Sequence, residues 1–377
     1  METPNFNLNT EIVEKGFRLF AEKMGHPTQV IQMMEFDLPK YHDIPSDNVF
    51  LEILASPIDY ADLLNIRGLY GTQPPSFPLF TGNEGIFKVL AKGPDVKKLD
   101  IGDIVFINSY GLGTWSSHLT LHETAVVKLE QPIDIVSGSM LRVNMFTAYR
   151  MLHDFVKLNN ELIVVQNGAT SHVGQTVIQL CKSMGVKTIN IIRQPQLSET
   201  YNILKKMGAD EIVTIEHTDN VDMKKIMSDL KKNSWFDQTK VVLGLNCIGG
   251  VYSQIVENLL ACGSTHVTYG GILKKSMEAS ISSLIFKNIK FVGFLINKWL
   301  QDNNNSKFYD MMLHDTTKLI HNGSYFRPPF KCFPLSQYKS VIETFHNDRA
   351  HSILPYRIIF TKNINFIQHL ATIVAKL

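Results

Sequence analysis

Only four cysteines occur in the 377 residues, at 181, 247, 262 and 332, and no two form a C-x-x-C pair. That scatter excludes a clustered zinc knuckle and argues against a dense disulfide framework, leaving reduced core thiols as the expectation. Neither sign of charge dominates: 37 Lys and Arg face 35 Asp and Glu, a formal balance of +2. A balance so near zero argues against a broad electrostatic surface for nucleic acid. Long apolar runs are missing too. Residues 281–286 and 291–296 fall far short of the roughly 20 needed to span a bilayer, so no membrane partner is expected. The first residues show neither a secretory pattern nor an Arg-rich, acid-poor presequence, because Glu2, Glu11 and Glu14 accompany Lys15 and Arg18. On these grounds alone the chain reads as cytosolic, or as one whose targeting is not legible. What is present is 44% apolar and 19% charged residues, suited to sizeable cores. At about 100–200 residues per domain, the length suggests two domains or slightly more.

The chain changes character along its length. Short strand-like runs at 30–34, 49–55, 85–90 and 103–107 are separated by Pro57, Gly68, Gly71, Pro74, Pro75, Pro78, Gly82, Gly93, Pro94 and Gly102. This spacing predicts a small barrel-like β unit. Beyond Asn144 the pattern alternates. Leu162-Ile163-Val164-Val165 is a continuous apolar run, as in a parallel strand buried on both faces. Val173, Val177, Leu180 and Met184 then mark one stripe of a helix that Gly185 would cap. Strands follow at 187–192, 211–215, 240–245, 265–269 and 289–295, with helices at 203–207 and 252–260. Such alternation predicts right-handed βαβ units and a doubly wound sheet.

The first turn of that region reads Asn167-Gly168-Ala169-Thr170-Ser171-His172-Val173-Gly174. The dinucleotide fingerprint is G-x-G-x-x-G, whose middle glycine lets the backbone approach a pyrophosphate. Here Ser171 and His172 occupy the middle, so the motif alone is a weak match. Its setting carries the reading: a buried strand before it, and after it a helix whose N-terminal amides favour a phosphate. The alternative is a tight turn without a ligand. His172, taken alone, reads as a solvent-facing or capping residue at a helix start. The next strand ends in Arg193-Gln194-Pro195-Gln196, with no carboxylate until Glu199. A site for NAD would place Asp or Glu there for the ribose hydroxyl, whereas a guanidinium suits a 2′-phosphate. NADPH is therefore the expected cofactor, with a surface arginine as the bland alternative.

Residues 82–93, Gly-Asn-Glu-Gly-Ile-Phe-Lys-Val-Leu-Ala-Lys-Gly, resemble the G-H-E-x-x-G-x-V-x-x-x-G stretch of medium-chain dehydrogenases/reductases. Zinc members use that His as a ligand and carry a four-Cys lobe. Asn83 is a poor ligand and the lobe is missing, so no metal is expected. Hydride chemistry without zinc needs another proton donor. Within the family the chain resembles the zinc-free 2-enoyl thioester reductases of mitochondrial fatty-acid synthesis, from about Gly25 to Leu354. Ala55-Ser56-Pro57-Ile58-Asp59-Tyr60-Ala61-Asp62 is similar to A-x-P-I-N-P-S-D, and Arg67-Gly68-Leu69-Tyr70-Gly71 to Q-G-x-Y-G. Residues 144–152 match N-P-x-T-A-Y-R-M-L, and Tyr269-Gly270-Gly271, Leu284-Ile285-Phe286-Lys287 and Gly293-Phe294 follow Y-G-G, L-I-F-K and G-F-W.

The resemblance implies an α/β architecture. A Rossmann NADP-binding domain covers 144–319, and a GroES-like β-barrel catalytic domain is built from 1–143 and 320–377. It implies NADPH-dependent reduction of a trans-2-enoyl thioester carried by acyl-carrier protein or coenzyme A, the last step of type II fatty-acid elongation. Hydride would go to C3, and Tyr70 would protonate C2, since a phenol with pKa about 10 holds its proton at neutral pH. Cofactor contacts carry over to Asn144, Thr170, Ser171, His172, Val173, Arg193, Tyr269, Gly270, Gly271, Ile272, Phe294, Leu295, Ile296 and His351. A homodimer and a mitochondrial setting are likewise implied. The chain departs from the family pattern at Asp59 and Tyr60 (Asn-Pro), at Gln194 (a second base), at Leu295 (Trp) and at His351 (Lys). Two other readings remain: a zinc-free quinone or enone reductase of the same fold, and a non-catalytic NADP-binding paralog. Val374 and Leu377, with Ile367 and Leu370, suggest an apolar stripe in the tail.

Overall fold

The alternation of Val49, Leu51 and Ile53 builds the strand Asn48–Pro57, whose buried side chains meet Phe87 and Val89 of its antiparallel neighbour Ile86–Lys92. The computed structural model describes residues 15–71, 76–130, 132–193, 198–216, 221–304, 306–350 (backbone alone for 346–350) and 356–362. The chain packs into two units, 1–130 with 332–343 and 358–377, and 131–331 with 344–357. His351, Gln194–Gln196 and the suggested stripe at 367–377 lie outside the described residues.

The first unit is antiparallel β structure. One sheet runs in the order Phe330–Phe333, Arg357–Phe360, Asn48–Pro57, Ile86–Lys92, Ile104–Ile107, Val126–Lys128, with His118–His122 also paired to Asn48–Pro57. A three-stranded sheet joins Ile31–Asp37, Lys15–Ala21 and Leu79–Phe80. The C-terminal strand returns to the first half of the chain: Ile359 pairs with Pro57 and Phe360 with Ser56. Trp115, fully buried, donates its indole N–H to the Pro57 carbonyl at 2.9 Å and meets Phe360 edge-on. Full burial of one such aliphatic or aromatic side chain contributes about 1.5–3 kcal/mol.

The second unit holds a six-stranded parallel sheet in the order Glu211–Ile215, Lys187–Arg193, Ile163–Asn167, Val241–Asn246, Thr265–Thr268, Lys290–Gly293. Every residue of Ile163–Asn167 is buried, as expected for a strand covered on both faces. The order reverses between Ile163–Asn167 and Val241–Asn246, which is the topological switch point of a doubly wound sheet. The last strand is shorter than the expected 289–295. Its partner ends at Thr268, so after the Phe294 N–H reaches the Thr268 carbonyl at 2.9 Å the ladder has nothing further to pair with. A helix, Ile296–Asn303, takes over.

The helix His172–Met184 also differs from the single apolar stripe read in the sequence. His172, Gln175, Thr176 and Gln179 are buried along with the aliphatic residues. Each of these four side chains makes at least one hydrogen bond within the unit, as described below. Gly185 caps it in the left-handed conformation (φ 70°), as the sequence suggested. Among the described residues no helix is long and apolar enough to cross a membrane.

Candidate functional site

The strand Ile163–Asn167 runs straight into the glycine turn. Gly168 sits at φ +66°, a conformation that disfavours any side chain, and a Cβ there would strike the Cys247 sulfur. Gly174 is needed for a different reason: a Cβ would lie 2.6 Å from the Gly168 carbonyl oxygen and 2.7 Å from the Ala169 Cα. Ser171 caps the helix His172–Met184, its Oγ accepting the Gly174 N–H at 3.0 Å, while its own N–H reaches the Gly168 carbonyl at 2.9 Å. The amides of His172 and Val173 are left without an intrahelical acceptor at the positive end of the helix, the arrangement that receives a phosphate. The His172 ring does not obstruct them. It is turned inward and only 3% exposed, not solvent-facing as a helix-start histidine would ordinarily be.

Two buried asparagines stand at the switch point. Asn167 Nδ2 donates to Asn246 Oδ1 at 2.7 Å, and Asn167 Oδ1 accepts from the Cys247 and Ile248 N–H groups at 2.8 and 3.2 Å. Asn246 Oδ1 also accepts the Gly249 N–H (3.1 Å), and its Nδ2 donates to Thr268 Oγ1 (3.1 Å). These bonds lock the ends of three neighbouring strands together. The loop after Thr265–Thr268 folds over them: the Ile272 and Leu273 N–H groups donate to the Cys247 and Ile248 carbonyls, each at 3.0 Å. Gly270 permits this approach, since a Cβ would stand 3.1 Å from the Cys247 oxygen. Tyr269 directs its hydroxyl toward Ser171 and Cys247, and burial raises its pKa well above the ordinary phenol value.

Arg193 and Phe294 stand at the carboxyl ends of strands of the same sheet, and Asn144 lies on a helical turn just before the helix Phe146–Asp154 in sequence. Arg193 ends the strand Lys187–Arg193, and its charge is felt by Tyr252 at the start of the helix Val251–Leu259. Phe294 is half-buried against Phe155, at 6.0 Å between ring centroids; Leu295 is exposed and Ile296 buried. Asn144 is buried within a π-helical turn, Leu141–Met145, packed on the helix His172–Met184. Glycine conformations and free amides at the switch point fit a dinucleotide, and the altered middle of the fingerprint does not spoil it.

In the first unit Tyr70 follows a tightly closed helix end. In the helix Tyr60–Ile66 the Leu69 N–H reaches back to the Leu64 carbonyl (2.9 Å) and the Gly68 N–H to the Asn65 carbonyl (3.0 Å), with Gly68 at φ +67°. This is a Schellman closure, and it sets where the half-buried Tyr70 emerges. The same helix begins with a buried acid. Asp62, 2% exposed, accepts the Asp59 N–H at 2.8 Å and the Asn83 Nδ2–H at 2.6 Å, while Asn83 Oδ1 accepts the Gly111 N–H at 3.2 Å. Burial first, then the nearby Asp59 charge, push the Asp62 pKa well above the usual carboxylate range.

Comparison with known proteins agrees with this geometry. Residues 45–131 match the alcohol dehydrogenase GroES-like domain and residues 173–313 the zinc-binding dehydrogenase model. The human mitochondrial enoyl-(acyl-carrier-protein) reductase is 36% identical over 320 residues, 85% of this chain and 82% of that protein. The chain belongs to the enoyl-(acyl-carrier-protein) reductase family. Among solved structures, Etr1p in complex with NADP and crotonyl-CoA is similar at TM-score 0.81 and 26% identity, over 92% of this chain and 99% of that one. The mitochondrial 2-enoyl thioester reductase Etr1p/Etr2p heterodimer from Candida tropicalis matches with the same score, identity and coverage.

For this family member the position that serves zinc in other medium-chain enzymes is Asn83, and its amide is committed to Asp62 and Gly111. Among the described residues no group of three His, Cys, Asp or Glu is placed to hold a metal ion. Two features escaped the sequence reading. The Asn167–Asn246 lock had a faint signal, since both strands end their apolar run on Asn. The hydrogen-bond partner of the His172 ring, Tyr325, had none, because it lies 153 residues downstream.

Proposed function

We propose that this reductase-family chain reduces trans-2-enoyl thioesters, carried by coenzyme A or an acyl-carrier protein, with NADPH as the electron donor. The observation that carries the reading is the glycine turn at the switch point, with the His172 and Val173 amides free and Arg193 ending the neighbouring strand. When bound, NADPH supplies a hydride to the β-carbon, which the thioester carbonyl makes electrophilic. The chain itself would hold the pyrophosphate on the two helix amides, offer the Arg193 guanidinium to the 2′-phosphate, and cover the cofactor with 269–272. Tyr70 donates the proton to the α-carbon, as the family pattern around it suggests, and the Schellman closure fixes the backbone immediately before it. In this reading the first unit carries the proton donor and the second the cofactor.

Mitochondrial work is supported by the relatives' names. A homodimer is supported by an apolar strip, Ile281 (72% exposed), Leu284, Ile285 and Phe286 (78%), beside the edge strand Lys290–Gly293. The test is NADPH oxidation at 340 nm with a medium-chain trans-2-enoyl thioester, for wild type and Tyr70→Phe. The variant is expected to lose about 10²–10⁴-fold in kcat while still binding NADPH. No turnover by the wild type would sink the enzyme reading, and undiminished turnover by the variant would remove Tyr70 from its role. Equal rates with small quinones and acyl thioesters would favour the quinone reductase alternative.

A further inference from the structure

The His172 ring closes a hydrogen-bonded cycle. Thr176 Oγ1 donates to the His172 carbonyl at 3.0 Å, one turn back along its own helix. With that proton spent, Thr176 Oγ1 can only accept from the Tyr325 hydroxyl, 3.0 Å away. The Tyr325 oxygen must then accept from His172 Nε2, at 3.1 Å. The reverse order of protons would leave a buried Nδ1–H without an acceptor, whereas this order leaves only a lone pair there, so we assign His172 the Nε2–H tautomer. All three side chains are buried.

The segment that brings Tyr325 is tied down further along the same helix face. Gln179 Nε2 donates to the Phe326 carbonyl at 3.1 Å, and Gln179 Oε1 accepts the Phe326 N–H at 2.6 Å. Arg327 pairs with Asp134 at 2.7 Å. His172, Thr176 and Gln179 therefore form an i, i+4, i+7 polar row on which the strap 325–327 lies. Two further donors converge on the turn itself: Arg357 Nη2 and Gln175 Nε2 both reach the Thr170 carbonyl, at 3.1 and 3.0 Å. The other atom of that amide, Gln175 Oε1, is buried and has no partner.

We propose that the His172–Tyr325–Thr176 cycle, with Arg357 on Thr170, is a positioning device that aims the His172 and Val173 amides at the cofactor pyrophosphate. His172 thus serves the cofactor through its backbone while its ring acts as the latch. The inference rests on the NADPH reading above and deepens it. It is supported by the neutrality that burial and the neighbouring Arg357 charge impose on the ring, both of which lower its pKa well below the ordinary value. A charged ring would carry a second N–H with no acceptor.

The test uses Tyr325→Phe and Thr176→Val, which break the cycle at two points with little change of volume. NADPH affinity is read by fluorescence titration, and amide hydrogen exchange over 170–176 is read on the cofactor-free chain. Each variant should bind NADPH about 5- to 10-fold more weakly, the range expected for losing a buried neutral hydrogen bond. Exchange at the turn should accelerate, and the kinetic loss should fall on KM for NADPH, with KM for the acyl thioester unmoved. His172→Gln, whose amide N–H can still reach Tyr325, should recover most of the affinity that His172→Ala loses. Both breaking variants binding NADPH within 1.5-fold of wild type, whatever their melting temperatures, would overturn the positioning role. Absence of NADPH binding by the wild-type chain would overturn the cofactor reading and this inference with it.

Discussion

Gly174→Ala tests the turn most sharply, because two physical effects predict opposite signs. In an exposed helix interior the change is favourable by about 1 kcal/mol. Here the new Cβ would stand 2.6 Å from the Gly168 oxygen and 2.7 Å from the Ala169 Cα, when ordinary contact begins at 3.4 Å. Something must therefore move by 3.4 − 2.6 = 0.8 Å, and both obstacles are backbone. Neither can yield alone. Gly168 is held at φ +66° with Cys247 against it, and Ser171 bonds both ends of the turn. Overpacking of this kind costs about 1–3 kcal/mol. A backbone clash belongs at the upper end, so after the helix gain a net loss of about 1–2 kcal/mol is expected. For a unit of this size that lowers Tm by roughly 2–8 °C, at about 2–4 °C per kcal/mol. Displacing the amides by most of an ångström should also cost about one charge-assisted bond to phosphate, some 1.5–3 kcal/mol, or about a 10- to 100-fold rise in the NADPH dissociation constant. Thermal unfolding and NADPH titration are the assays, with Ser183→Ala, at an exposed position of the same helix, as the propensity control. A variant melting at or above wild type and binding NADPH normally would refute the close-packed turn.

Arg193→Ala should raise KM for NADPH about 10- to 100-fold and leave the weaker use of NADH nearly unchanged; an equal loss with both nucleotides would separate Arg193 from the 2′-phosphate. Asp59→Asn should stabilise the fold in a pH-dependent way. Asp62 has a raised folded pKa, so it stabilises most when protonated, and that stability is lost as pH rises from about 4, the unfolded value, toward the folded one. Removing the Asp59 charge lessens the penalty on ionised Asp62, so the Tm gain of the variant should be near zero at pH 4 and grow toward pH 8. A gain independent of pH would mean that the two carboxyl groups do not interact.

Legibility in the sequence followed how locally each feature is caused. The strand Ile163–Asn167 could be read from the apolar run Leu162-Ile163-Val164-Val165, because a strand covered on both faces leaves a signal within itself. The Gly185 cap was legible for the same reason. The strands Lys15–Ala21 and Arg357–Phe360 were not, since they exist through pairing with residues far away: Lys15 lies across from Asp37, and Ile359 across from Pro57. The site divided along the same line. Gly168, Gly174 and Arg193 announce themselves by position after a strand. The burial of His172 does not, because whether a histidine at a helix start faces water depends on what covers it, and that is Tyr325, 153 residues on.

The departure of the turn from G-x-G-x-x-G carries a further consequence. In the usual fingerprint the second glycine keeps the approach to the pyrophosphate open by having no side chain. Here the middle positions do carry side chains, and both are drawn away from the approach. The Ser171 hydroxyl folds onto the Gly174 amide, and the His172 ring turns into the core against Tyr325. Openness that glycine would provide through its own absence of atoms is provided here by partners elsewhere in the unit. Such a turn should be stiffer than a glycine-rich one, since each side chain adds a restraint, and it should depend on the strap 325–327 in a way a glycine turn would not. Replacing His172 by Gly would therefore leave the approach open but release the restraint. That separates two requirements, room for the phosphate and fixed amides to hold it, which the usual motif meets with the same residue.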